Sequence, residues 1–182
     1  MIKVDKTHIK ERVCQGDIIS EVEFIEYAIE KDGQVEISKI IFPYVYVLTQ
    51  DCDLEQEFNN RQQITNDKHL ISVIVAPLYN IEHVYDGSHL SDIKLQMQII
   101  KKNSTDSRIL IQNNNPRYHH LEFSDEISIV NSVIDFKHYF TINNKLLFDL
   151  KKNNFICKVS ELFRENISHR FSFFLSRIGL PS

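Results

Sequence analysis

The chain has 182 residues, 42% hydrophobic and 25% charged, with a net charge of −4, so a single domain is the simplest organisation. The acidic balance excludes a protein that wraps duplex DNA over a basic face, and the absence of an apolar leader or a run near ~18 residues predicts neither a signal peptide nor a membrane span. Cys14, Cys52 and Cys157 are odd in number and far apart, which predicts free thiols in a cytoplasm and no zinc site.

The first half of the chain predicts strands joined by short connections. Residues 1–13 predict an arm or a short helix, and Asp32-Gly33 carries the signal of a tight hairpin. Residues 51–68 are polar and predict a loop, with a helical turn as the alternative. Pro43 is expected to interrupt the return strand and Pro77 to close the last one. The predicted strands are 18–30, 35–42, 44–50 and 69–79.

The second half predicts a helical insertion, further strands and a terminal helix. Ile93, Met97 and Ile100 have helical spacing within an insertion at 81–115. Strands are predicted at 117–123, 128–142 and 155–160. An apolar stripe predicts the helix 161–179, with a cap at Ser160 and a stop at Gly179 and Pro181. The stripe consists of Phe163, Ile167, Phe171, Phe174 and Ile178. Together, 15–80 and 117–160 predict one α+β domain built on a small, strongly curved antiparallel barrel.

An acidic stretch surrounds Cys52 where the third strand ends. On an extended chain Asp51, Asp53, Glu55 and Glu57 would point to one side, where carboxylates repel one another or take a hard cation such as Mg²⁺. Three interpretations stay open for this stretch: a solvated lip, a cation site, and a polar lip that binds or catalyses.

Cys52 is itself a candidate nucleophile if a histidine or another cation lowers its pKa. Its acidic neighbours oppose that shift, and a small residue at a strand end is the alternative. We include it among the predicted binding residues with Gln50 and Asp51.

The segment 117–120 is the best candidate for ligand contact. Arg117 can pair with phosphate, Tyr118 can stack on a base, and His119 or His120 can transfer a proton near neutral pH. Together with Asp53, Arg117 and the two histidines are the predicted catalytic residues. The alternative is structural, with Arg117 in an ion pair to Asp51 or Asp53.

Two further patterns have structural alternatives. Asn166, Arg170, Phe173 and Arg177 form one stripe of the terminal helix, which favours either a phosphate backbone contact or a solvated face. Asp135 and His138 lie three apart in a predicted strand and are interpreted as core and rim, and no metal site is predicted.

Four segments resemble the PemK/MazF-like family of plasmid-maintenance toxins: QGDII, YVYVLTQDCDL, HLISVIVAPLYN and NSVIDFKHYFTI. The resemblance covers 15–80 and 127–142, and it implies an SH3-like β-barrel with appended helices. Characterised members of that family cut single-stranded RNA. The family's Arg-Pro pair is Phe42-Pro43 here, and its Thr or Ser after the fourth strand is replaced by Tyr79-Asn80. The family's cleavage residues are therefore not carried over.

The chain is also similar, over most of its length, to uncharacterised bacterial proteins. The shared segments are Gln50–Asp53, 117–121, 135–140 and 164–181. This second likeness implies no particular chemistry.

These observations predict a toxin-like SH3-like barrel that binds, and in one version cleaves, single-stranded RNA without a metal or cofactor. The expected setting is a bacterial toxin–antitoxin or phage-defence locus, with a homodimer implied by the family. The alternative function is a non-catalytic regulatory module that contacts a protein partner, either antitoxin-like or a defence-system subunit. A third hypothesis is a thiol- or metal-dependent enzyme built on Cys52.

Overall fold

A computed structural model describes residues 1–7 and 11–177, and within them five α-helices pack against an eight-stranded antiparallel sheet. The strands are β1 (Val4–Asp5), β2 (Asp17–Lys31), β3 (Gln34–Val47), β4 (Ser72–Asn80), β5 (Tyr118–Leu121), β6 (Ser132–Asp135), β7 (Phe140–Asn143) and β8 (Phe155–Val159). The helices are α1 (Asp51–Asn60), α2 (Ile81–Asp86), α3 (Thr105–Ile111), α4 (Asn144–Asn154) and α5 (Glu161–Leu175). Short 3₁₀ turns occupy Ser91–Ile93 and Phe136–His138. None of the helices in these ranges is long and apolar enough to cross a membrane.

The sheet curls into a half-barrel with the strand order β1-β8-β2-β3-β4-β6-β5, and β7 pairs with β4. The backbone N–H of Ile2, beside β1, donates to the carbonyl of Glu122, just after β5, at 2.7 Å. This bond joins the two ends of the strand order. The predicted α+β class with an SH3-like curved antiparallel barrel and a C-terminal helix is thus confirmed.

Three apolar cores surround the sheet. The first fills the concave side, where Ile167 and Phe171 of α5 pack against Phe136 and strand residues. The second lies under α1 and α4 and includes Leu54 and Leu147. The third joins α2 and α3 to β4 and β6. The terminal helix therefore packs against the sheet through the first core.

The predicted hairpin is confirmed, and its strands are longer than expected. Asp32 and Gly33 have φ of 53° and 77°, the left-handed geometry of a primed two-residue turn. The interruption expected at Pro43 is wrong, because β3 continues through it and Glu21 on β2 takes a left-handed φ of 54° opposite it. Pro77 likewise lies inside β4, where it pairs with Val45.

Three other local predictions have different outcomes. Residues 51–60 form α1, which is longer than the helical turn considered as an alternative to a loop, because Leu54 and Glu57 face the core at helical spacing. The chain at Met97 and Ile100 is not helical, since its backbone N–H groups donate to the Gly87 and Tyr85 carbonyls beside α2. The strand predicted at 128–142 was expected to be either longer or broken, and it is broken, because the 3₁₀ turn Phe136–His138 separates β6 from β7. Helix α4 was not predicted.

Near the two chain ends, the structure contains the short strand β1 and the helix α5. Among residues 1–7 the structure contains β1, which pairs with β8. Ser160 occupies the N-cap position of α5, although its side chain makes no capping bond. The predicted stop at Gly179 and Pro181 lies outside the described residues.

Candidate active site

Five polar side chains converge where β4, β5 and β6 lie side by side, and we call them the Asp135 cluster: Tyr79, His89, Arg117, Asp135 and His138. Tyr79 comes from β4, Arg117 immediately precedes β5, and Asp135 ends β6. Pairing of β4 with β6 and of β6 with β5 brings the three together.

Asp135 is the buried centre of the cluster and its side chain is 1% exposed. Arg117 donates from Nε to both carboxylate oxygens, at 2.8 and 3.0 Å, and from one Nη to Oδ2. The hydrogen bonds to Asp135 raise the pKa of the Arg117 guanidinium. Such a two-pronged pair fixes the plane of the guanidinium and leaves its other Nη on the outer side.

His138 is brought to the cluster by the turn that Asp135 itself caps. The Asp135 carboxylate accepts a bond from the Lys137 backbone N–H at 3.0 Å and so begins the 3₁₀ turn. His138 Nδ1 then lies 3.5 Å from Asp135 Oδ2, without hydrogen-bond geometry. Burial lowers the pKa of His138, while the carboxylate of Asp135 acts in the opposite direction.

His89 arrives from the loop that follows α2. Gly87 ends α2 in a left-handed conformation, with φ of 75°, and turns the chain back. His89 Nδ1 lies 3.4 Å from the carbonyl oxygen of His83, and because a carbonyl only accepts, Nδ1 carries the proton. Nε2 of the neutral ring is then a bare lone pair, and it is buried without a partner. Burial lowers the pKa of His89.

Tyr79 packs between the two imidazoles. Its ring centroid is 4.9 Å from that of His89 and 5.7 Å from that of His138, and the two histidine centroids are 6.2 Å apart. The Tyr79 hydroxyl is also buried without a partner, and burial followed by the charge of Asp135 raises its pKa. Three polar atoms of the cluster are therefore buried and unsatisfied, which in a folded protein marks a place for water, an ion or a ligand.

An apolar groove of about 360 Å³ opens beside the cluster. Tyr79 and His89 belong to both the groove and the cluster, and Phe42 and Tyr44 of β3 also line the groove. Phe42 meets Tyr79 edge-on at 6.3 Å between centroids. The groove therefore offers aromatic faces on which planar rings can stack.

The residues of segment 117–120 lie in different places, some in the Asp135 cluster and some in the core. Arg117 belongs to the cluster, and its guanidinium lies 4.8 Å from the Tyr118 ring. His119 is 4% exposed, faces Phe136, and has a pKa lowered to about 3 by burial. At neutral pH His119 is an uncharged core residue. His120 is not part of the Asp135 cluster. Its backbone N–H donates to the side-chain oxygen of Asn113.

The acidic stretch around Cys52 lies outside the Asp135 cluster. Asp51 accepts bonds from Arg12 and from the Gln15 backbone N–H, each at 3.0 Å, so the alternative pair between Arg117 and Asp51 or Asp53 is wrong. Burial raises the pKa of Asp51, but the hydrogen bonds from Arg12 and Gln15 and the positive charges of Lys158 and Arg12 together lower it below its usual value. Gln50, Cys52 and Asp53 are exposed at the start of α1, with Cys52 Sγ 3.7 Å from Gln50 Oε1.

The α5 stripe is largely occupied by contacts within the chain. Arg170 donates to the carbonyls of Asn113, Asn115 and Tyr118. The Arg177 guanidinium stacks 4.4 Å from the Phe174 ring. Phe173 is 57% exposed and borders a shallow pocket with Pro116.

Sequence reasoning selected Arg117 but not the rest of the cluster as a site. The three-residue spacing of Asp135 and His138 was a usable signal, because an aspartate that caps a turn faces the side chain three positions later. His89 and Tyr79 had no local signal.

No protein-family model matches this chain, and no curated protein matches it by sequence. The likeness to the plasmid-maintenance toxins therefore stays a prediction.

Proposed function

We propose that this protein binds single-stranded RNA and cleaves it at the Asp135 cluster without a metal ion. The observation that carries the proposal is the pair of histidines with unpartnered ring nitrogens beside an anchored arginine. Cleavage of RNA through its own 2′-hydroxyl needs a base, an acid and a cation at the phosphate. His89, His138 and Arg117 supply those three groups.

The chemistry assigns a role to each group. His89 Nε2, the bare lone pair, takes the proton of the 2′-hydroxyl as its oxygen bonds to phosphorus. The bond from phosphorus to the 5′-oxygen breaks, and protonated His138 donates a proton to that oxygen. Burial disfavours this protonated form, and the carboxylate of Asp135 favours it. Arg117 faces the negative charge of the phosphorane. The products are a 2′,3′-cyclic phosphate and a 5′-hydroxyl.

The groove supports a single-stranded ligand. Unpaired bases stack on aromatic side chains without strict sequence preference, and Phe42, Tyr44 and Tyr79 line this groove. A duplex does not expose its base faces in this way. The net charge of −4 also favours a local contact over a long basic track. We place the protein in the cytoplasm, in keeping with its three free cysteines.

The test is incubation of the purified protein with end-labelled single-stranded RNA in EDTA. We expect cleavage to a cyclic phosphate, and no cleavage of DNA of the same sequence, which lacks the 2′-hydroxyl. His89→Gln and His138→Gln should each lower the rate by about 10²–10⁴-fold. His69→Gln is the matched control, since His69 is exposed away from the cluster. Intact RNA with the unmodified protein, or normal rates in both variants, would overturn the proposal.

A second candidate is a binding module that contacts a protein partner, such as an antitoxin-like protein, a defence-system subunit or a second copy of the chain. The β2–β3 hairpin favours it, because Ile25, Val35, Ile37 and Ile41 are each more than half exposed. Isolated exposed apolar residues are ordinary, but several on one hairpin indicate a contact surface. Sedimentation of wild type and Ile37→Lys distinguishes a self-association surface from a monomer.

A further inference from the structure

We propose that His89, His138 and Asp135 form a binding site for a divalent transition-metal ion of the zinc class. One ring nitrogen from each histidine and one carboxylate oxygen all lie within 4.8 Å of one another. Among the described residues, His89, Asp135 and His138 are the group of histidine, cysteine and acidic residues whose ligand atoms lie close enough together to share an ion. Metal binding itself is independent of RNA cleavage, and only its effect on cleavage rests on the proposed function.

The distances fit a small ion. Zinc lies ~2.0–2.2 Å from nitrogen and oxygen ligands, so the ligands of a tetrahedral site are about 3.4 Å apart. His138 Nδ1 and Asp135 Oδ2 are separated by 3.5 Å. Since the widest separation in the group is at most 4.8 Å, a small rotation of the His89 ring completes the triangle.

The surroundings of His89 match those of a metal ligand. A ligating histidine usually donates its second ring N–H to a carbonyl or carboxylate, which fixes the tautomer and aims the other nitrogen at the ion. His89 Nδ1 faces the His83 carbonyl at 3.4 Å, and Nε2 is buried with no partner. His138 Nδ1 is likewise buried and unpartnered.

The donor set selects the class of ion. Two imidazoles and one carboxylate suit Zn²⁺, Co²⁺, Ni²⁺ or Cu²⁺, whereas Mg²⁺ and Ca²⁺ prefer oxygen ligands. Three protein ligands also leave a position for water. Arg117 already holds the Asp135 carboxylate, so the ion shares Oδ2 with a guanidinium, and that competition weakens the site.

Occupation of this site has a direct consequence for cleavage. The ion takes the lone pairs of His89 and His138, the same nitrogens that act as base and acid. Zinc at the cluster therefore inhibits a metal-free ribonuclease, and removal of the ion by EDTA restores its activity.

The test is titration of the metal-free protein with Zn²⁺ by calorimetry, and with Co²⁺ by visible absorption, whose intensity reports tetrahedral geometry. We expect one ion per chain, with binding weakened more than about 100-fold in His89→Gln and His138→Gln, since loss of an outer-shell partner alone costs ~10–100-fold. Cys52→Ser and His69→Gln should bind as wild type does. Arg117→Gln should bind more tightly, because it frees the carboxylate. Circular dichroism establishes that each variant is folded.

Three results would overturn the inference: no binding by folded wild-type protein, binding that survives both histidine substitutions, or loss of binding in Cys52→Ser, which would assign the ion to the thiol. None of these readouts uses RNA. Protein that binds zinc and cuts no RNA refutes the proposed function alone, whereas protein that cuts RNA and binds no zinc refutes this inference alone.

Discussion

Arg117 binds Asp135 through two donor nitrogens at the point where β5 begins and β6 ends, and this carboxylate caps the turn that carries His138. One ion pair therefore sets the position of both the cation and the acid of the proposed site. Asp135 is buried while Arg117 is only partly exposed, so removal of the arginine has structural as well as chemical consequences.

Arg117→Ala is expected to destabilise the protein by roughly 3 kcal/mol, because it leaves a buried carboxylate without its partner. The double variant Arg117→Ala/Asp135→Asn should recover much of that loss, since no buried charge is left. Urea unfolding of the two variants and the wild type measures the difference. Equal stabilities of the single variant and the wild type would mean that Asp135 is solvated without the arginine. Arg117→Lys is the better variant for activity, because it keeps the charge.

Acid is expected to destabilise the fold through His119. Its pKa is about 3 in the folded state against 6.5 for the unperturbed residue, so below pH 6.5 the unfolded chain binds a proton that the folded chain does not. The stability that this residue contributes is present above pH 6.5 and is lost as the pH falls toward 3, by at most ~1.4 kcal/mol per pH unit.

The measurement is the free energy of unfolding of wild type and His119→Gln from pH 7 to 4. The variant should start from a lower stability at pH 7 and show a shallower fall. His169→Gln, at an exposed position, should keep the wild-type slope. Parallel slopes in wild type and His119→Gln would contradict the assignment.

Among residues 1–7 and 11–177, Lys151 and Asp17 form the most deeply buried ion pair, with side chains 1% and 0% exposed and 2.7 Å between Nζ and Oδ2. Lys151→Met is expected to cost about 3–5 kcal/mol, because Asp17 is left charged and buried. Its neighbour supplies the control: Lys152 pairs with Asp149 in solvent, so Lys152→Met should cost less than about 1 kcal/mol. Thermal unfolding of the two variants side by side tests the contrast, and similar melting temperatures would refute it.

Substitution of two glycines distinguishes the cost of backbone strain from the effect of moving the loop that carries His89. Gly33 and Gly87 both have left-handed φ, 77° and 75°, but a Cβ on Gly33 meets nothing within 4 Å, whereas one on Gly87 meets the Met97 carbonyl. Gly33→Ala should cost roughly 1–2 kcal/mol and leave cleavage and zinc binding unchanged. Gly87→Ala should cost more and impair both, because the loop that carries His89 must shift. Intact zinc binding in Gly87→Ala would show that the loop adapts.

Local patterns predicted the elements whose signals are contained in one segment. Asp32-Gly33 predicted the hairpin because a primed turn needs left-handed residues. The apolar stripe that includes Ile167 and Phe171 predicted α5, because a helix with one buried face repeats its apolar residues at that spacing. The same logic failed at Met97 and Ile100, whose backbone groups are satisfied by the chain around α2 rather than by a helix of their own.

The sequence by itself determined the class of fold, the β2–β3 hairpin, the helix α5 and the residue Arg117 as a candidate for function. Only the tertiary structure decided which partner Arg117 has, that His119 is core, and that His89 and Tyr79 lie beside His138. The reason is physical: side-chain periodicity reports burial within one element, whereas a site is made where separate elements meet. Here the pairing of β4, β6 and β5 and the turn at Gly87 bring distant residues together, and no spacing along the chain encodes that contact.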